Sequence, residues 1–184
     1  MRTFLALELP KTVKKEIAAI IEKFLNSVPN GIKWVREENL HITFQFIGDT
    51  KKEDIPEIID FLSNAFSLLS PINFFEPKLE IVPGRNPRII WLSIKTDYKE
   101  IYRVSKQFKL KLQKMSYQPD SKPLKFHVTL GRVKKRLPEF FIQQILTTEL
   151  KIERMEISEA ALYQSFLRPE GPVYEKISDF KLGK

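Results

Sequence analysis

Two histidines carry the acid–base chemistry that this sequence offers, and the chain contains no others. Each is followed two positions later by a threonine, so that His41 precedes Thr43 and His127 precedes Thr129. Threonine occupies only 8 of the 184 positions, and chance would rarely place one at the same spacing after both histidines. The repetition therefore indicates a shared role.

The repeated pair predicts proton transfer at a phosphate ester. Imidazoles have pKa values near ~6.5, so one can be protonated while the other is neutral, as concerted proton donation and abstraction require. The hydroxyls of Thr43 and Thr129 can donate hydrogen bonds to the non-bridging oxygens of a phosphodiester. We therefore predict His41, Thr43, His127 and Thr129 as the catalytic residues.

Two other interpretations of the histidines are less favoured. A lone histidine in a strand is more often a hydrogen-bonded structural residue, but the duplication favours function. A zinc site would want three or four ligands, and the chain has two histidines and no cysteine. Since a strained cyclic phosphate needs only an activated water and a protonated leaving oxygen, we predict neither a metal nor a cofactor.

The elements around the motifs indicate an α+β fold. Residues i and i+2 of a strand share a face, so each histidine and its threonine project together, away from the apolar residues between them. Hydrophobic periodicity predicts strands at residues 3–9, 40–47, 78–82, 89–94, 126–133, 152–165 and 173–182, and helices at 10–25, 52–69, 98–115 and 138–146.

The element order of the first half of the chain is similar to that of the second. We therefore expect residues 1–184 to form a single domain of two pseudo-symmetric lobes enclosing a central cleft. Each lobe would be a small, mainly antiparallel sheet with helices on its outer face.

The charge balance points to a polyanionic partner. The chain has 31 basic and 23 acidic side chains, a formal net charge of +8, and a pI near 9.5. Such a field attracts nucleic acid, although a lysine-rich surface also serves solubility. The absence of cysteine, of a signal peptide and of any apolar run of ~20 residues predicts a cytoplasmic protein without membrane contact. We expect a monomer.

The motif pair His41/Thr43 and His127/Thr129 resembles the H-x-T-x signature of the two-histidine phosphoesterase superfamily. It is most similar to the LigT-like branch, the RNA 2′,3′-cyclic phosphodiesterases also called 2′-5′ RNA ligases, and the likeness extends from Phe4 to Tyr174. The resemblance implies two lobes flanking a cleft and hydrolysis of a 2′,3′-cyclic phosphate to a 2′-phosphate end. It implies His41 as proton donor and His127 as acceptor, with RNA as substrate. Nucleotides such as GTP or ATP are candidates for further occupants of the cleft, which the sequence leaves open.

Three arginines are predicted to bind substrate. Arg132 falls on the family's arginine just after the second motif, and we expect it, taking the strand as regular, to share the face of His127 and Thr129. There it would bind phosphate bidentately, unless it is only a surface residue at a strand end. Arg85 and Arg88, in a turn-forming segment, are candidates for binding the RNA chain or are simply loop charges.

Two phenylalanines beside the first motif invite a comparison with base-stacking platforms. By strand alternation, however, Phe44 and Phe46 should both point away from His41, so we predict that both belong to the core.

The sequence is also compatible with two rival functions. One is ligation, in which the same chemistry runs backwards to join a 2′,3′-cyclic end, for example of tRNA-like halves, to a 5′-hydroxyl. The other is a non-catalytic RNA-binding module in which the histidines are structural. Because water is abundant and RNA ends are scarce, hydrolysis is the preferred prediction.

Overall fold

The computed structural model describes residues 1–27, 30–84, 86–120, 122–169 and 171–183. Its strands are β1 (Arg2–Leu7), β2 (Ile32–Trp34), β3 (Ile42–Asp49), β4 (Ile72–Val82), β5 (Ile89–Lys95), β6 (His127–Val133), β7 (Arg154–Ile157), β8 (Glu159–Arg168) and β9 (Gly171–Lys181). Its α-helices are α1 (Lys11–Ser27), α2 (Ile55–Ser67), α3 (Lys99–Lys114) and α4 (Glu139–Leu146). Short 3-10 turns at Glu37–Asn39 and Lys52–Asp54 precede β3 and α2.

The helices cover one face of the sheet because each carries an apolar stripe. In α1, for example, Ile17, Ile21 and Phe24 are spaced so that they fall on one side, and all three are buried. These stripes pack against inward-facing strand residues in one continuous core that draws on every helix. In the part of the chain described, no helix is both long and apolar enough to cross a bilayer.

All registered strand pairs are antiparallel, in the order β7-β4-β5-β6-β3-β1-β8-β9, with β2 also beside β6. The predicted α+β class, with antiparallel strands and helices on the outer face, is confirmed. The two lobes, however, are not formed separately by the first and second halves of the chain, because strands from both halves lie on one side of the sheet. The C-terminal strand β8 returns to pair with β1, and β9 pairs with β8, so each motif strand lies near the centre of the sheet.

The predicted strand 152–165 is wrong as a single element. It is divided at Ser158 into β7, which pairs with β4, and β8, which pairs with β1 on the other side of the sheet. Strand β4 also begins earlier than predicted. Pro77 lacks the N–H that a regular ladder needs, and a register shift between Phe75 and Lys78 accommodates it.

Bulges interrupt both motif strands. Opposite β1, Leu5 pairs with Gln45 while Ala6 pairs with Thr43, so Phe44 is an extra residue in β3. Opposite β5, the pairs Ile90–Gly131 and Trp91–Thr129 leave Leu130 as an extra residue in β6. Each bulge reverses the alternation of side chains beyond it, which changes which residues reach the uncovered face.

Gly131 is required by close packing at the second bulge. A Cβ added there would lie 2.8 Å from Cγ2 of Ile32 and 2.9 Å from Cε3 of Trp34. We expect Gly131→Ala to lower the free energy of unfolding by roughly 1–3 kcal/mol, because neither neighbour is a flexible side-chain end. Urea denaturation measures the change. Gly84→Ala is the control, since its Cβ would meet nothing within 4 Å; equal midpoints for both variants would contradict the packing argument.

Candidate active site

One strand pair brings the two motifs together. Ile42 of β3 is registered opposite Val128 of β6. Because the strands are antiparallel, the residue before Ile42 adjoins the residue after Val128, and the reverse. His41 therefore lies next to Thr129 and Thr43 next to His127, all on the sheet face that the helices leave uncovered, which we call the cleft face.

Hydrogen bonds fix the tautomer of His41. Its Nδ1–H donates to the backbone carbonyl of Asn39 at 2.7 Å, and a carbonyl can only accept. The neutral ring therefore carries its proton on Nδ1, and its Nε2 accepts a hydrogen bond from the hydroxyl of Thr43 at 3.0 Å. Asn39 is itself held, since its side-chain amide donates to the carbonyl of Pro172 in β9 at 3.1 Å.

His127 is fixed in the same way. Its Nδ1–H donates to the backbone carbonyl of Lys125 at 2.8 Å, again two residues before the histidine. Among the described residues, no side chain is within hydrogen-bonding distance of its Nε2. Both histidines therefore present Nε2 to the same face, and that of His127 is open to a ligand.

Burial sets the protonation state of both rings. Burial lowers the pKa of His41 below the ordinary 6.5, while its bond to Asn39 and the negative charge of Glu8 oppose the change. Burial also lowers the pKa of His127, opposed by its bond to the Lys125 carbonyl. Both imidazoles are therefore mainly neutral at pH 7 in the free protein. A bound phosphodiester anion would raise both pKa values and favour protonation of one ring.

Aromatic rings form the surroundings of the two histidines. The rings of Phe4 and Tyr174 lie 5.1 and 5.5 Å from that of His41, centroid to centroid. The ring of Trp91 lies 4.3 Å from that of His127. These contacts limit the positions open to each imidazole and shield one side of it from water.

Arg132 lies on the face of the histidines, but the premise of a regular strand was wrong. Residues 127 and 132 are an odd number of positions apart, so a regular strand would turn them to opposite faces. The bulge at Leu130 reverses the alternation: Gly131 faces the core, and Arg132, opposite Ile89, faces the cleft. Consistently, burial raises the pKa of Tyr174 and the positive charge of Arg132 opposes the rise.

Arg88, another of the predicted arginines, does not join the four motif residues. Arg88 is exposed and lies just before β5, at the end of that strand away from Ser93, the residue opposite His127. Arg85 lies outside the described residues.

The prediction for the two phenylalanines was half right. Phe44 is buried and packs edge-on against Phe66 of α2. Phe46 is not a core residue: it is 60% exposed, and its ring lies 6.0 Å from that of Phe4 on the cleft face. The bulge at Phe44 turns it there.

The sequence prediction missed Asn39, Trp91 and Tyr174 as neighbours of the histidines. They come from a turn and two other strands, and their proximity depends on strand register, which a single sequence does not reveal. No group of three or more histidine, cysteine or carboxylate residues that could hold a metal ion occurs in the described part of the chain.

Comparison with protein families and curated proteins identifies relatives along nearly the whole chain. The family model "LigT like Phosphoesterase" matches residues 7–91 and 93–174. The chain is 31% identical to an RNA 2′,3′-cyclic phosphodiesterase of Archaeoglobus fulgidus, over 98% of this chain and 100% of that protein. A protein of the same name from Methanocaldococcus jannaschii is also 31% identical, with the same coverage of both chains.

Solved structures share the fold. A crystal structure from Thermus thermophilus superposes with a TM-score of 0.82 at 25% identity, covering 99% of this chain and 98% of that one. Escherichia coli LigT, solved with 3′-AMP, gives 0.75 at 18% identity, covering 98% and 97%. The fold and the family-model match are those of a phosphoesterase. More particularly, the chain belongs to the LigT-like phosphoesterase family, as the sequence predicted.

The lowered histidine pKa values predict a loss of stability in mild acid. The unfolded chain, with histidine pKa values near 6.5, takes up protons before the folded protein does, so the free energy of unfolding falls as the pH drops below 6.5. For His41 the slope is at most about 1.4 kcal/mol per pH unit.

Denaturant unfolding between about pH 8 and about pH 5 measures this slope, in the range where histidine is the side chain that titrates. His41→Gln, which keeps a neutral polar group, should flatten the profile, and the more accessible His127→Gln should flatten it less. Identical pH profiles for all three proteins would contradict the burial of these rings.

Proposed function

We propose that the protein hydrolyses the 2′,3′-cyclic phosphodiester ends of RNA to 2′-phosphate ends, with His41 and His127 as its general acid and base. The observation that carries the proposal is the matched presentation of two Nε2 atoms on one face, each ring held through Nδ1 by a backbone carbonyl. The activity named for relatives at 31% identity over nearly the full length supports the substrate class.

His127 suits the role of base. Its neutral form keeps a lone pair on an open Nε2, which can take a proton from water as the water oxygen bonds to phosphorus. The bond between phosphorus and O3′ then breaks, and O3′ takes a proton from Nε2 of protonated His41. The products are a 2′-phosphate and a 3′-hydroxyl, and the two rings end with their protonation states exchanged.

The contact between His41 and Thr43 links protonation to phosphate binding. While His41 is neutral, the Thr43 hydroxyl donates to its Nε2. Once Nε2 is protonated, that hydroxyl is released to donate to a phosphate oxygen instead, where negative charge increases in the transition state. Thr129 and Arg132 would supply further donors, the latter in bidentate geometry.

No step in this scheme requires a metal or a cofactor. The cyclic phosphate is strained, and the two imidazoles supply both proton transfers.

We also propose the substrate, the further ligands, the location and the oligomeric state of the protein. RNA with a 2′,3′-cyclic end is the substrate, and nucleotides such as ATP or GTP can occupy the same cleft; E. coli LigT, which shares the fold, was solved with ATP. The protein acts as a cytoplasmic monomer, with residues 1–184 forming one two-lobed domain.

The experiment is to incubate a short RNA ending in a 2′,3′-cyclic phosphate with the protein in EDTA, and to resolve the products. We expect a 2′-phosphate end from the wild-type protein. His41→Ala and His127→Ala should each reduce the rate by about 10²–10⁴-fold, the usual contribution of a general acid or base. Thermal unfolding of each variant checks that the fold is kept.

Three results would contradict the proposal. Loss of wild-type activity in EDTA would exclude the metal-free scheme. Joined RNA products with a 5′-hydroxyl acceptor, and no hydrolysis, would favour the ligase. An unchanged RNA end with tight binding by all three proteins would favour a non-catalytic RNA-binding module.

A further inference from the structure

A basic groove lies beyond the end of β6, away from the histidines. It has a volume of about 1000 Å³ and is formed by the turn between β4 and β5 and by the segment that leads from β6 into α4. Its described charged residues are Arg88, Lys134, Lys135 and Arg136, against the single carboxylate of Glu139. The excess positive charge attracts polyanions.

The groove is connected to the active site by the second motif strand. From His127 to Val133, the last residue of β6, the strand advances up to roughly 20 Å, at about 3.3 Å per residue. Arg132, on the cleft face, lies between them, and the backbone N–H of Val133 donates to the carbonyl of Arg88 at 2.8 Å. A mononucleotide held by the histidines cannot span this distance, whereas an RNA chain can.

The basic segment is fixed in place rather than loosely attached. The backbone N–H groups of Lys134 and Lys135 donate to the carbonyl of Gly31 at 2.7 and 3.3 Å. Leu137, just beyond Arg136, is buried and secures the other end. Three successive cations are therefore held on an ordered backbone.

These cations also lack counter-charges. Ion pairs are few in the described residues, and the lysines that form them are Lys95 with Glu76 and Lys111 with Glu57. Among the described residues, no carboxylate oxygen lies within 4.0 Å of a charged nitrogen of Lys134, Lys135 or Arg136. Their mutual repulsion is unrelieved in the free protein, and phosphate groups would relieve it.

We propose that this groove binds the sugar–phosphate backbone of the RNA substrate, several nucleotides to the 5′ side of the cyclic end. The inference rests on the proposed function and adds the path of the chain. Ammonium and guanidinium groups can donate to non-bridging phosphate oxygens, and contacts to phosphate carry no sequence information, so this binding would be independent of sequence.

The test compares two substrates, a nucleoside 2′,3′-cyclic monophosphate and a 12-nucleotide RNA with a 2′,3′-cyclic end. The groove variant combines Lys134→Gln, Lys135→Gln and Arg136→Gln. A control removes the same charge from the exposed face of α3, through Arg103→Gln, Lys106→Gln and Lys114→Gln. Affinity for the same RNA ending in a 3′-phosphate, which cannot be hydrolysed, is measured in parallel by fluorescence anisotropy.

We expect the groove variant to lose about 10-fold or more in kcat/KM and in affinity for the RNA, with the mononucleotide reaction unchanged. The slope of log affinity against log salt should fall by about 2, at about 0.7 for each phosphate contact to a single strand. The control variant should behave as the wild-type protein.

Several outcomes would overturn the inference. Unchanged RNA affinity in the groove variant would show that the groove does not bind RNA and would favour a protein partner instead. An equal loss of RNA affinity in the control variant would show that the effect comes from net charge and not from the groove. A loss on the mononucleotide as large as that on the RNA would mean that the substitutions disturb the active site. If the wild-type protein hydrolysed neither substrate, the proposed function would fail, while the anisotropy comparison would still decide whether the groove binds RNA.

Discussion

The pairing of Ile42 with Val128 is the contact on which the arrangement of the site depends. It is the one registered pair between β3 and β6 in the described residues, and antiparallel order makes the residues on either side of it neighbours. Both apolar side chains are completely buried beneath the helices. A slip of one residue in either strand would turn its histidine into the core and expose its apolar residues. Burial of these apolar residues therefore fixes the strand register, and with it the positions of the polar residues on the opposite face.

The duplication extends beyond the two motifs to the backbone, since each histidine bonds to the carbonyl two residues before it. What surrounds each ring differs. His41 contacts the rings of Phe4 and Tyr174 and is near the carboxylate of Glu8, whereas His127 contacts Trp91 and leaves its Nε2 open. Two similar groups in unlike environments are what acid and base roles on one substrate require. The repeated motif makes the two histidines alike, and strands from distant parts of the chain make their surroundings different.

The sequence was informative where local periodicity decides the structure. It predicted the α+β class, the helices and the shared face of each histidine with its threonine, because these follow from spacing along a single element. It failed where pairing with a neighbouring strand decides the structure. The bulges at Phe44 and Leu130 arise from pairing with β1 and β5, and they turn Phe46 and Arg132 onto the cleft face. The break at Ser158 has the same origin, since the segments on its two sides pair with different strands.

The acid–base assignment is tested most directly by comparing the pH dependence of catalysis with the titration of the two imidazoles. Because the chain has only two histidines, ¹⁵N NMR resolves both pKa values without ambiguity. For the cyclic phosphate substrate, kcat/KM against pH should be bell-shaped, with its two limbs at the pKa values of His41 and His127 in the free protein and its maximum on the acid side of 6.5. A profile whose limbs do not coincide with these titrations would contradict the paired-histidine mechanism.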